Sequence, residues 1–509
     1  MNIYKIFKIL LLTIAFSALI SGCLRVQTPQ PPGGLPAEPS DPGSTPTPDL
    51  SAYRLPTREP GAPLINPSPD AERVLPPIRA DFTQHIVQYG DTLNAIAFYF
   101  GVDVNALIEA NQPIDPEMLE IGRLLQIPPP IPVQDAPGFK IIPDSELVYS
   151  PSALGFNIAD FIRQRGGYLA SYTEEVDTAV LTSAEVVERV SRENSVNPRL
   201  LLALLDYQSG WVSSLTPAGE TLVYPLRYFH PAYKGLYLQL SQAANELNRG
   251  FYLWRINGLS HFVLADGSVI RASPQINAGT AGVQLAMSRL AGLDAWNRAV
   301  NGGGLDKTYS DLFGYPFDYS FEPLLPPDLK QPPMQLPFET EKVWSFTSGP
   351  HGGWGDGAAW AALDFAPPGN ALGCVPSDEW VTAVSDGLIT RAQDGVVIQD
   401  LDGDGYEQTG WTVIYMHVES RDRVAQGTEV KAGERIGHPS CEGGFSNGTH
   451  VHLARRYNGE WISADGSEPF NLDGWISSGT GVQYDGYLLK ENLIVEAWDA
   501  RLPENQIQR

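Results

Sequence analysis

Cysteine, histidine and positive charge are all in short supply. Three cysteines among 509 residues allow one disulfide at most. Eight histidines are few enough that a gathering of several in one stretch carries weight. Lysine and arginine number 34 against 59 aspartates and glutamates, a formal charge of −25. A surface of that sign repels phosphate and excludes nucleic acid as a partner. It also means that attachment to an anionic envelope polymer must come from a specific groove and not from net charge. Apolar residues make up 43% of the chain, enough for roughly two to four domains with cores of their own. Proline is abundant, with 43 residues, but much of it falls between Thr28 and Pro77.

The first residues read as a targeting segment. Lys5 and Lys8 precede an apolar run over residues 9–20, which is short for a membrane span. Ser21 and Gly22 then stand before Cys23. The pattern resembles a bacterial lipobox, which implies residues 1–22 as a lipoprotein signal peptide, cleavage before Cys23 and lipid on its sulfur. An ordinary signal peptide with an incidental cysteine is the other reading. With Cys23 lipidated, Cys374 and Cys441 remain, an even pair in one predicted domain. In an oxidising compartment they are expected to form a disulfide, the alternative being two unpaired buried thiols. Residues 23–80 are rich in Pro, Gly, Ser, Thr and Asp and lack apolar periodicity, so they cannot bury enough surface to fold. They read as a spacer that lifts the folded part off a membrane.

Residues 81–130 read as a compact unit. A short strand near His85 leads into Gly90, Asp91 and Thr92. Asp91 is a fitting N-cap, and Leu93, Ile96, Ala97 and Phe100 share one helix face. Gly101 stops that helix. A second one covers residues 104–111, and a strand over residues 123–127 closes the unit. The βααβ order, the YGDTL start, Asn111 at the end of the second helix and the closing G…L.IP pattern resemble a LysM domain throughout. The resemblance implies binding to N-acetylglucosamine polymers such as peptidoglycan or chitin. Gly90, Asp91, Thr92 and Leu93 would line the sugar groove, with Ile114 and the loop up to Met118 opposite.

Residues 140–335 look mainly helical. The segment over residues 183–193 suits a helix capped by Ser183, and Asn197-Pro198 opens another. NPRLLLALLDYQSGW and NAGTAGVQLAMSRLA loosely resemble lysozyme-like lytic transglycosylases. In that family a glutamate precedes the serine as general acid/base. Here Gln208 precedes Ser209, and an amide cannot exchange that proton. The expectation is an inactive glycan-binding or spacer domain.

From about residue 339 the pattern turns to short strands and Gly-rich turns. Four of the eight histidines fall in four short pieces: GPHGGWG with His351, LDFAP with Asp364, WTVIYMH with His417, and GTHVHL with His450 and His452. A hydrolytic metal site needs three protein ligands and an open position, and imidazole and carboxylate are suitable donors. Alternate residues of a strand face one side, so His450 and His452 can act on one site.

In order, these pieces resemble the M23 (lysostaphin-like, LytM) metallopeptidases over residues 340–460. The resemblance implies Zn2+ held by His351, Asp364 and His452, with His417 and His450 as catalytic histidines. Many family members place the first histidine and the aspartate four apart. Here they are thirteen apart, separated by GGWGDGAAWAAL. That insert is expected to form a loop at the rim of the cleft. Asp356 lies inside it, but Asp364 holds the family's position before FAPP. His438 reads as structural.

Asp400, Asp402 and Asp404 open like a calcium loop, but Trp411 stands where an EF-hand has glutamate. A hairpin turn and a turn held by Ca2+, with Glu407 as a further ligand, both stay open. Residues 460–509 are expected to add strands or a flap.

The fold expected is therefore multidomain α+β. It comprises a small βααβ LysM domain, a mainly α-helical middle domain with lysozyme-like traits, and a mainly antiparallel β M23 domain over residues 336–509. The function expected is a membrane-tethered zinc endopeptidase that cuts peptide cross-links of bacterial peptidoglycan. Its partners would be glycan, stem peptides and, through the lipid, the outer face of a membrane. The alternative is a non-catalytic wall-binding lipoprotein that regulates other hydrolases.

Overall fold

The computed structural model describes residues 70–116, 118–369 and 372–509, with residues 58, 62 and 67. The expected signal peptide, the lipidation at Cys23 and most of the expected spacer lie outside the described residues.

Local signals build the small N-terminal unit. Strands β1 (Thr83–Ile86) and β2 (Leu124–Ile127) pair antiparallel, and helices α1 (Leu93–Phe100) and α2 (Val104–Ala110) lie between them in the chain. The cap of α1 is Thr92 and not Asp91: Thr92 Oγ1 accepts from the Ala95 amide at 3.1 Å. Asp91 is already engaged, accepting from the Gln88 amide at 2.8 Å and meeting His85 Nε2 at 2.7 Å. α1 ends at Gly101, whose φ of 63° is the left-handed conformation that glycine adopts without strain. Leu93, Ile96, Ala97, Leu107, Leu125 and Ile127 fill the core.

The middle region is helical, as its patterning predicts. It contains β3 (Pro132–Asp135), α3 (Ile158–Arg165), α4 (Ser183–Asn194), α5 (Pro198–Ser209), α6 (Leu236–Arg255), β4 (His261–Val263), β5 (Val269–Arg271), α7 (Ala278–Leu290), α8 (Leu293–Val300) and α9 (Leu305–Phe313). The cap of α4 is Thr182, in a reciprocal box with Glu185, so the expected Ser183 cap is one residue late. Ser183 instead donates to the Leu169 carbonyl inside the core. Asn197 caps α5 as expected. The N-terminal unit is docked on these helices. Phe98 sits between Arg249 and Arg289, at 4.7 and 4.6 Å from its ring, and His261 Nε2 donates to the Gly101 carbonyl at 2.7 Å.

The last third is antiparallel β. Its main strands are β6 (Val343–His351), β7 (Ala362–Ala366), β8 (Gly387–Gln393), β9 (Val396–Asp400), β10 (Trp411–Met416), β11 (Glu429–Val430), β12 (Val451–Tyr457) and β13 (Glu460–Trp461). A second sheet follows with β14 (Asn471–Leu472), β15 (Trp475–Gly479), β16 (Gly486–Lys490) and β17 (Leu493–Glu496), before β18 (Gln506–Gln508) returns to the edge beside β6. The main sheet runs β11-β8-β9-β10-β12-β7-β6-β18, with β13 on β12. One face of it, with Leu363, Phe365, Val397, Val413, Tyr415 and Leu453, shares a core with Phe470, Leu472, Trp475 and Leu488. The other face, with Val396, Ile398, Ile414, Met416 and Ala454, belongs to the core of the helical region. Both faces are thus dry, which is why β10 is apolar at five of its six positions and β9 opens with three apolar residues in a row.

Candidate metal centre

Strand register brings the sequence's scattered ligands together. His452 on β12 pairs directly with Asp364 on β7. On the other side of β7, β6 slips register twice before His351 pairs with Ala362. Those slips aim the last residue of β6 at the same point. His351, Asp364 and His452 are buried and offer ligand atoms within 4.8 Å of one another. Asp356 is exposed in the insert and takes no part in this cluster.

The hydrogen bonds leave the right atoms free. His351 Nδ1 lies 2.8 Å from the Gly349 carbonyl, and His452 Nε2 lies 3.2 Å from the Gly353 carbonyl. A carbonyl oxygen can only accept, so each of these nitrogens carries the proton. The other nitrogens, His351 Nε2 and His452 Nδ1, therefore present lone pairs. They face each other at 3.0 Å and stand 3.3 and 3.2 Å from Asp364 Oδ1. That oxygen is buried and accepts no hydrogen bond. Two lone pairs and an orphaned carboxylate oxygen repel one another until a proton or a cation enters. Burial pushes the Asp364 carboxyl up, but His351 and His450 outweigh it and hold the carboxyl well below the usual range. Burial lowers His351, and the Asp364 charge more than reverses that. The donor set of two imidazoles and one carboxylate fits a divalent cation of the Zn2+ type.

His417 and His450 lie beside this cluster, their rings 4.5 Å apart. His417 Nδ1 donates to the Glu442 carbonyl at 2.9 Å, so its Nε2 is the free atom. Burial, with His450 and His452 nearby, lowers the His417 pKa to about 3. His417 sits just past β10 at a φ of 63°, an uncommon conformation for a residue with a side chain. His450 Nδ1 meets the Gly448 carbonyl at 2.7 Å, and its Nε2 lies 3.7 Å from Asp364 Oδ2. His450 and His452 thus share a face, as their spacing predicts. The bond between Cys374 and Cys441 joins the two loops behind His450, and Thr449 ties the same loops by donating to the Val375 carbonyl at 2.6 Å. His438 is buried against Trp380 and donates to the Glu379 carbonyl, a structural place as expected.

Three expectations need correction and one residue is new. The insert is not a free rim loop. Trp354 packs on the helical core, where Ala358 and Ala361 are buried, and the Gly357 amide donates to Asn245 Oδ1 of α6 at 2.7 Å. Glu407 does not face the Asp400 turn, because both its oxygens accept from Arg391 at 3.0 Å. Tyr484, in the loop before β16, stacks on His351 with ring centroids 4.8 Å apart and planes at 25°. No motif announces it, since a lone tyrosine in a Gly-rich loop looks like any other. In the N-terminal unit Leu93 is buried in the core and cannot line a groove, and Ile114 is partly buried against that core. Gly90 and Thr92 are exposed.

Family models match three stretches: the LysM domain over residues 85–128, the LasA N-terminal domain over residues 140–327, and peptidase family M23 over residues 369–464. The chain therefore carries a LysM domain and an M23 peptidase domain, with a helical region of the LasA N-terminal type between them. The M23 match begins past His351 and Asp364, so those two rest on the geometry. Protease LasA of two Pseudomonas aeruginosa strains is 26% identical over 324 residues, which is 58% of this chain and 71% of the relative. Among solved structures, the deep-sea M23 metalloprotease pseudoalterin is 24% identical, covering 36% of this chain and 99% of that one with a TM-score of 0.28. The catalytic domain of the antimicrobial peptidase lysostaphin from Staphylococcus simulans is 26% identical, covering 24% and 87% with a TM-score of 0.18.

Proposed function

We propose that this protein is a zinc-dependent endopeptidase that hydrolyses peptide cross-links of bacterial peptidoglycan, held on the wall by its LysM domain and on a membrane by lipid at Cys23. The observation that carries the reading is the trio His351, Asp364 and His452, with its free donor atoms converging inside a domain of a peptidase family. The LysM domain supports the substrate: Gly90, Asp91, Thr92 and Ile114 provide backbone and side-chain surface for an N-acetylated glycan, so the peptides attached to that glycan are brought to the cleft. Leu93 shapes this surface from beneath.

Zn2+ when bound is a Lewis acid that acidifies water and polarises a carbonyl. The protein's own groups do the rest. His351 and His452 hold their tautomers through Gly349 and Gly353, which keeps lone pairs on the metal side. His417 stays neutral at physiological pH, so its Nε2 accepts a hydrogen bond from the attacking water. His450 Nε2, 3.7 Å from Asp364 Oδ2, is the group beside the cluster that takes the proton of the water and passes it to the leaving amine. Tyr484, stacked on His351, limits how that ring can turn.

The test is release of new amines from purified peptidoglycan by the purified protein, before and after chelation and after Zn2+ is restored. The reading expects release, loss and recovery in that order. Folded protein that takes up zinc and releases no amine would leave the wall-binding regulator as the better account.

A further inference from the structure

The nine residues that lengthen the spacing between His351 and Asp364 have their own physical logic. Gly353 is pressed against Trp461, where a Cβ would come within 2.5 Å of the ring. Gly357 is pressed against helix α6, where a Cβ would come within 1.9 Å of the Asn245 carbonyl oxygen. The insert is glycine-rich because two elements approach its backbone too closely for any side chain. Trp461 is itself fixed by the helical region: its amide donates to the Tyr252 hydroxyl oxygen at 2.9 Å, and its indole N–H donates to the Asn194 carbonyl at 3.3 Å. The Gly357 amide donates to Asn245 Oδ1, and Gly353 donates back to Ala359, closing the loop on itself.

The carbonyl of Gly353 is the acceptor that fixes the proton on His452 Nε2. Helix α6 thus reaches the metal centre through a short chain: Asn245 holds Gly357, the closed loop holds Gly353, and Gly353 holds His452. We propose that Asn245, on helix α6 of the helical region, is a positioning residue for the metal centre. It sets the tautomer of His452 and so the affinity for Zn2+. This rests on the reading of His452 as a ligand.

The test compares the full chain with Asn245→Ala and Asn245→Asp variants. Asparagine to aspartate keeps an oxygen for the Gly357 amide, and alanine removes it. Zinc affinity is measured by competition with a chelator. The protonated nitrogen of His452 is read separately in metal-free protein by 15N-histidine NMR. We expect Asn245→Ala to weaken zinc binding about tenfold and to mix the two His452 tautomers, with Asn245→Asp near wild type on both. Wild-type zinc affinity and an unchanged tautomer in Asn245→Ala would overturn the inference. Should wild type bind no zinc, the ligand reading fails, and the tautomer comparison still decides whether Asn245 acts on His452. Gly357→Ala offers a second route, and it is expected to give the same two changes from the opposite side of the contact.

Discussion

Two clusters of metal-suited side chains lie in the same β domain, and they differ in what their atoms are already doing. In one, His351 and His452 spend their outward nitrogens on backbone carbonyls, and their inward nitrogens and Asp364 Oδ1 converge on one point. In the other, Asp400, Asp402 and Asp404 are just as close together, but the turn consumes the carboxylates of Asp400 and Asp404. Asp400 accepts from the amides of Asp402, Gly403 and Gly405, and Asp404 accepts from the Tyr406 amide and the Thr409 hydroxyl. Burial and the neighbouring Asp402 raise the Asp400 carboxyl to about 8. This cluster relieves its repulsion with a proton and hydrogen bonds. In the histidine cluster the two inward imidazole nitrogens and Asp364 Oδ1 have only one another, at 3.0 to 3.3 Å. Proximity of ligands is therefore a weak sign of a metal site, and unspent lone pairs are a strong one.

The comparison breaks most visibly by removing one carboxylate from each cluster. Asp364→Ala should reduce amine release about a thousandfold or more, the scale of losing a Lewis acid worth several kcal/mol, whereas Asp400→Ala should leave the rate within about twofold. Steady-state assays on peptidoglycan measure both. A smaller effect is expected from Gly353→Ala, which forces the loop off Trp461 and moves the carbonyl behind His452; chelator competition should report zinc bound about tenfold more weakly. Smaller again is Tyr484→Ala. It removes the ring over His351 and should cost about 1 kcal/mol in thermal or denaturant unfolding. The finest test sharpens the acidic side. Because Asp400 titrates near 8 when folded and near 3.8 when exposed, the folded state holds the proton more tightly. Its contribution to stability is full at low pH and is lost as pH rises from about 4 to about 8. Asp400→Asn should flatten that part of a melting-temperature profile.

Much of this was legible in the chain, for reasons that residues make plain. Caps and glycine stops are local, so the helices of the LysM unit and the Asn197-Pro198 start of α5 could be read directly. The misassigned caps, Asp91 for Thr92 and Ser183 for Thr182, are single-residue slips between adjacent competent residues. His450 and His452 could be placed on one face because strand alternation has a fixed period. The role of the insert could not be read. Its glycines look the same in a free loop and in a seat, and only the approach of Asn245 and Trp461 separates the two. Tyr484 and the partnership of Glu407 with Arg391 were hidden likewise, since each depends on how separate strands and loops meet in the fold.

The most direct measurement is elemental analysis of the purified wild-type protein beside its Asp364→Ala and Asp400→Ala variants, each checked for folding. About one zinc per chain in wild type and Asp400→Ala, and none in Asp364→Ala, is the result predicted here. Zinc retained in Asp364→Ala, or lost in Asp400→Ala, would contradict the claim that free lone pairs, and not mere closeness, make the metal site.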